Sequence, residues 1–386
     1  VANDFTRPST QRNLLSATTA LGVAGVLLLS ACGAPPTPAE DGDRGKAATA
    51  TSAEDFGGMD ALIKAAKEEG ELNVIALPPD WANYGEMIST FEEKYGITVN
   101  SASPDSSSQE EINAAEQNAG TDRAPDVFDL GQAVALANAD KHFASYKVGN
   151  WDDIPDNLRD ADGRYLADYT GYMSIGYNAD EVPEPTSLTD LLGDDYKGKV
   201  ALNGDPTQAG AAFSGVVMAA LANGGSADDI EPGVEFFKKL NKAGNFLPVD
   251  PTPATIASGE TPVVIDWDYT NAQQTIELKD KADWKVVIPK DAVVSSYYYQ
   301  AINTDAPNPA AARLWQEFVY SDEGQNIYLN GFARAVRMDA MDKAGTLDKG
   351  ASAKLPPAQG DPVELTEKQI EKANGILGEK WAAAVS

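Results

Sequence analysis

Residues 70–100 read GELNVIALPPDWANYGEMISTFEEKYGITVN, and the order of elements inside this stretch sets the fold class. Leu72–Leu77 is an apolar run of strand length. Met87, Ile88, Phe91 and Tyr95 then recur at the spacing of one helix face, and Gly96 follows as a stop. ITVN (97–100) returns to strand. Strand, helix and strand at this spacing make a βαβ unit.

The same alternation runs outward in both directions. DALIKAAKEEG (60–70) is an amphipathic helix with Leu62, Ile63 and Ala66 on one face. QEEINAAEQN (109–118) reads as helix, PDVFDLG (125–131) as strand and QAVALANA (132–139) as helix. A second run follows, with strands at KVALNG (199–204), TPVVIDWD (261–268), WKVVIP (284–289) and YYYQAI (297–302). Its helices are AGAAFSGVVMAALANGG (209–225) and GVEFFKKLNKAG (233–244), and the chain closes with helical stretches from Asn308 onward. The last begins at TEKQ (366–369), a capping box, with Ile370, Ala373, Leu377 and Trp381 as its buried stripe. No internal sequence repeat is visible. The expectation is two α/β lobes built on largely parallel sheets.

The N-terminus carries a different signal. Arg7 and Arg12 precede Ala20–Leu29, an uncharged run too short to span a bilayer as a helix. Leu29-Ser30-Ala31-Cys32 follows and resembles the bacterial lipobox, whose cysteine carries diacylglycerol and becomes the mature N-terminus. Cys32 is the only cysteine, which excludes an internal disulfide and a thiolate metal cluster. The other reading is an ordinary signal peptide with a chance cysteine. Residues 1–31 are thus expected to be a lipoprotein signal peptide. Residues 32–55, small, polar and Pro-rich, are expected to be a flexible tether reaching about 25 Å.

The chain has 59 acidic and 30 basic residues, a net charge of −29. Removing residues 1–31 takes away Asp4, Arg7 and Arg12, one net positive charge, and leaves −30. Such a surface repels nucleic acid and anionic lipid. Motifs of a hydrolase, a zinc protease or a phosphate loop are missing, so no catalytic residue, cofactor or metal is expected. RDADGR (159–164) lacks the spacing of an EF-hand loop.

Four stretches resemble one family, the extracytoplasmic solute-binding proteins of ABC importers, in its polyamine- and iron-binding branch. Residues 70–100 are similar to that family's first βαβ unit. DYTGYMSIGYNADEV (168–182) looks like its first crossover, and LTDLLGDDYKGKVALNGDP (188–206) like the opening of its second lobe. VVIPKDAVVSSYYYQAINTDAPNPAAARLWQEFVYSDEG (286–324) looks like the return crossover. The resemblance implies a type II periplasmic-binding-protein fold with two crossovers. Lobe 1 is expected over 56–169 plus 299–340, and lobe 2 over 170–298 plus 341–386. It also implies a ligand held between the lobes, a membrane permease as partner, and no chemistry. The expected protein is a monomer outside the cytoplasm, touching the membrane through its lipid anchor alone and binding no nucleic acid.

In open α/β sheets ligands sit beyond the carboxyl ends of strands. That position selects Trp81 and Tyr84, Gln132, Asp205, and Asp266, Trp267 and Asp268 as ligand-binding candidates. A carboxylate beside an indole suits an organic cation, the ring face adding about 0.5–2 kcal/mol. By resemblance, the tract around Trp267 matches a ligand-stacking tryptophan of the polyamine binders. Iron binders have a tyrosine pair there, where this chain has only Tyr269, so ferric ligation fits poorly. Asp205 falls on an acidic ligand position of the polyamine binders, but their next acid is Gln208 here. Tyr298 falls close to another of their acids. These departures favour a smaller amine or a zwitterion over a polyamine. Bland readings stand beside each: Trp267 as core, Asp205 as a helix cap, Tyr298 as a packed strand. Arg334 and Arg337 in GFARAVR would favour an anion such as a phosphonate, or else pack on a helix. Rivals in other classes are a surface-anchored hydrolase and a ligand sensor on the same fold.

Overall fold

A computed structural model describes residues 41–357 and 360–386. The signal peptide, the lipobox and Cys32 lie outside the described residues. Eleven strands are present among the described residues. They are β1 (Glu71–Ile75), β2 (Thr98–Ala102), β3 (Val127–Gly131), β4 (Phe143–Ala144), β5 (Tyr165–Asn178) and β6 (Val200–Leu202). The rest are β7 (Phe246–Leu247), β8 (Val263–Trp267), β9 (Trp284–Val287), β10 (Ser295–Asn303) and β11 (Arg334–Ala335).

Each lobe orders its strands in the same way. In lobe 1, β2 pairs in parallel with β1, and β3 pairs with β10, which pairs with β5. No ladder joins β1 to β3; Asn73 N donates to Asp126 Oδ2 at 2.7 Å and Asp126 N to Asn73 O at 2.8 Å instead. In lobe 2, β7, β6 and β8 are parallel neighbours, and β8 and β9 flank the far half of β5. Both lobes therefore show the order second, first, third, returning strand, fourth. The topology repeats where the sequence does not.

The largely parallel sheets expected from the sequence need correction. Pairings of β10 with β3 and β5, and of β5 with β8 and β9, are antiparallel. The returning strand in each lobe arrives from the other lobe, so it enters against the direction of its neighbours. Strand β5 is long enough, at 14 residues, to serve both sheets.

Two boundaries also move. The tether expected over 32–55 is folded from residue 41 onward, as the helices Asp41–Thr49 and Ala53–Phe56. Ala47, Ala50, Ala53 and Phe56 are buried. Arg313, 1% exposed, donates from Nε to Ala50 O and from Nη2 to Ala48 O, both at 2.9 Å. Alanine faces too weak to mark a helix by pattern are thus fixed by a buried guanidinium. Residues 341–352, expected in lobe 2, pack on lobe 1: Asn326 Nδ2 donates to Thr346 O and Asp348 N to Asn326 Oδ1, both at 2.9 Å. The chain then crosses back, and Val363 pairs with Val294. The helix Glu367–Val385 docks on Glu231–Ala243, with Trp381 edge-on to Phe237 at 5.3 Å. Its capping box and buried stripe follow the sequence expectation. No described helix is long and apolar enough to cross a membrane.

Candidate ligand-binding cleft

The carboxyl ends of β1, β2 and β3 in lobe 1 face those of β6 and β8 in lobe 2 across a cleft of about 490 Å³. That volume suits a small organic molecule. Ala76 and Ser103 hold the left-handed conformation, with φ of 56° and 41°. Neither is glycine, so each sharp exit from its strand is strained, as backbone at binding sites often is. These exits carry Asp80, Trp81 and Asp105 onto the wall.

The charge of the wall is one-sided. Asp80, Asp105, Glu110, Glu111 and Asp129 line it from lobe 1, and Asp205, Asp250 and Asp266 from lobe 2. No lysine, arginine or histidine is among its described lining residues. Burial raises Asp266 from 3.8 to about 7, against the pull of Trp267 N, which donates to its Oδ1 at 2.7 Å. Burial also raises Asp80, with Glu277 and Asp105 adding repulsion. Trp81 and Tyr298 supply aromatic wall, edge to face at 5.6 Å. Trp81 Nε1 donates to Tyr169 OH at 2.7 Å, which fixes the indole.

Four of the sequence candidates line this cleft: Trp81, Asp205, Asp266 and Tyr298. Asp205 is exposed and accepts from Thr207 N and Oγ1 at 2.8 and 2.7 Å. It does not cap the following helix, whose N-cap is Ala209. The other four are placed elsewhere. Tyr84 is fully buried in lobe 1, hydrogen-bonded to Tyr328 OH at 2.9 Å and to Gln300 Nε2 at 3.0 Å. Trp267 is fully buried and stacks on Tyr269 at 6.2 Å. It and Gln132 border a separate void of about 20 Å³, the size for one water. Asp268 is fully buried and paired with Arg334 at 2.5 Å, while Tyr172 N donates to its other oxygen at 2.8 Å.

That pairing also removes the basis for an anion site. Arg334 is spent on Asp268, on Pro356 O at 2.6 Å and on the Tyr172 ring at 4.4 Å. Arg337 is buried and bridges Asp153 and Asp322. Glu111 and Asp129 line the cleft and were missed by the sequence reading. Asp129 could have been found, since it sits two residues from the end of β3, beside the Gly131–Gln132 pair. Glu111 could not, because it lies inside a helix with an unremarkable charge pattern.

A family model described as bacterial extracellular solute-binding protein matches residues 122–357. The chain belongs to that family. Its family is one of solute-binding proteins that act outside the cytoplasm. No curated protein matches the chain by sequence. Solved structures that resemble it include a periplasmic thiamin binding protein, 17% identical with a TM-score of 0.64, covering 82% of this chain and 96% of that one. A putative spermidine/putrescine ABC transporter from Listeria monocytogenes is 17% identical with a TM-score of 0.60, covering 80% and 98%. AfuA from Actinobacillus pleuropneumoniae, with fructose-6-phosphate bound, is 18% identical with a TM-score of 0.60, covering 82% and 98%. At these identities the likeness shows the fold, a type II periplasmic binding protein.

Proposed function

We propose that this solute-binding protein captures a small organic compound bearing a cationic nitrogen and hands it to the permease of its ABC importer. The observation that carries the reading is the wall: eight carboxylates and no basic side chain among its lining residues. Asp266 is buried with no cation beside it, so a charged form gains from a ligand that supplies one. Trp81 and Tyr298 offer ring faces for the same cation. An anion would meet the repulsion of the ionised carboxylates there and no basic side chain among the described lining residues. Cys32, as a lipid-bearing N-terminus, would keep the monomer near its permease.

A thermal-shift panel of amines, amino acids, phosphonates, sugars and ferric chelates tests this. A ligand at a hundred times its dissociation constant adds about 2.7 kcal/mol of stability. The expected shift is with amines or amine-bearing zwitterions. A shift confined to phosphonates, sugars or ferric chelates would overturn the reading.

A further inference from the structure

Three carboxyl groups lie together in lobe 1: Glu111 and Asp129 at the cleft floor and Asp168 behind it. Glu111 is 1% exposed, Asp129 4% and Asp168 0%, and none has a basic hydrogen-bond partner. Asp168 is well supplied with donors: Tyr169 N at 2.8 Å, Tyr328 OH at 3.0 Å and Gln300 Nε2 at 3.1 Å. Asp129 is not. Its Oδ2 accepts from Tyr169 OH at 2.9 Å, and its Oδ1 has no donor. Across the cleft Gln274, 2% exposed, also leaves its Oε1 without a donor. Both residues line the cleft. The floor thus holds, from each lobe, a buried polar oxygen with no partner among the described residues.

The titratable groups whose charge acts on Asp129 come from several of the elements around it. They are Glu111, Asp168, Tyr84, Tyr169, Tyr269, Tyr298, Tyr320 and Tyr328. All are acids or phenols. A negative charge on Asp129 therefore meets repulsion from two carboxyls and, among the described residues, no compensating cation. Burial and the neighbouring Asp168 push the Asp129 carboxyl well above its ordinary range, and burial does the same to Glu111. Buried this way, the carboxyl favours its neutral form, and a positive group beside it would favour the ionised one.

We propose that Asp129 is the lobe-1 anchor for the ligand's positive nitrogen, with Gln274 as its lobe-2 counterpart, and that the carboxyl releases a proton to solvent as the cation binds. The exchange balances: a neutral acid and a cation become an ion pair and a free proton. Tyr169 takes a hydrogen bond from Trp81 and gives one to Asp129, so the ring at the cleft wall and the carboxyl at its floor are held by one hydroxyl. This inference rests on the cation reading above and adds the residue and the proton.

Calorimetric titration with spermidine, choline and thiamine, in buffers of different ionisation heat, measures protons released on binding. The expected result is a net release of protons on binding near neutral pH. Asp129→Asn should bind at least about tenfold more weakly and release fewer protons than wild type, Asp266 supplying what remains. Asparagine copies the neutral acid, so the variant should fold. Without ligand, its stability should fall less than wild type's as the pH rises through neutrality. Binding without proton release, or unchanged binding by Asp129→Asn, overturns this inference and leaves the cation reading standing. If none of the three cations binds while a sugar phosphate or ferric ion does, the cation reading falls with it.

Discussion

At the scale of single residues, two neighbouring acids separate by environment. Asp266 and Asp268 both end the strand β8 tract, and both are buried. Asp268 is neutralised by Arg334, whereas Asp266 lines the cleft without a basic partner. Asp266→Asn should therefore weaken binding about ten- to a hundredfold, the loss of one charge-assisted hydrogen bond, as read by calorimetry. Arg334→Met should instead cost about 3–5 kcal/mol of stability by leaving Asp268 unpaired, and shift ligand affinity little. If Arg334→Met abolished binding while folding normally, Arg334 would be a ligand contact and the anion reading would return. A pH effect follows from the same burial. Asp266 and Asp168 each rise from 3.8 to about 7 in the folded protein. Between those values the folded chain holds protons that the unfolded chain has shed. Their contribution is greatest at low pH and is lost as the pH climbs toward 7. Urea midpoints of the unliganded protein should decline over that window, and less steeply in Asp266→Asn.

At the scale of elements, strands and long helices were legible because their apolar runs match one period. The helix at 367–385 shows this, with both cap and stripe visible in sequence. What was not legible depended on partners far along the chain. Nothing near Asp268 announces Arg334, 66 residues away. The residues at 41–56 look unstructured because their buried face is mostly alanine, and their helix forms over Arg313. Arg313→Met should then lower stability by about 2 kcal/mol or more, since buried backbone carbonyls lose a charged donor. Hydrogen exchange should show residues 41–56 opening first in that variant. Unchanged protection there would mean that the segment is held by other contacts. Trp267 misled for a related reason: a strand-end indole looks identical in sequence whether it faces the cleft or, as here, packs behind it on Tyr269.

At the scale of the whole molecule, the two lobes meet at a cleft joined by β5, β10 and the later return of the chain. Gly131 at the end of β3 and Gly210 at the start of a lobe-2 helix approach so closely that a methyl on Gly131 would lie 3.2 Å from the Gly210 Cα. Acceptors from both walls line one cavity, so a ligand that touches both favours the closed arrangement. Small-angle scattering should give a smaller radius of gyration with saturating ligand, and an identical profile would argue against closure. Outside the described residues, Cys32→Ser should release the protein from membranes of its native host. Wild-type protein with no lipid on Cys32 would refute the anchor. The charge of the cargo can be read by mass spectrometry of the small molecules freed when the purified protein is denatured. A nitrogenous compound that carries positive charge at neutral pH is expected. A phosphate ester, a neutral sugar or iron recovered in stoichiometric amount would contradict it.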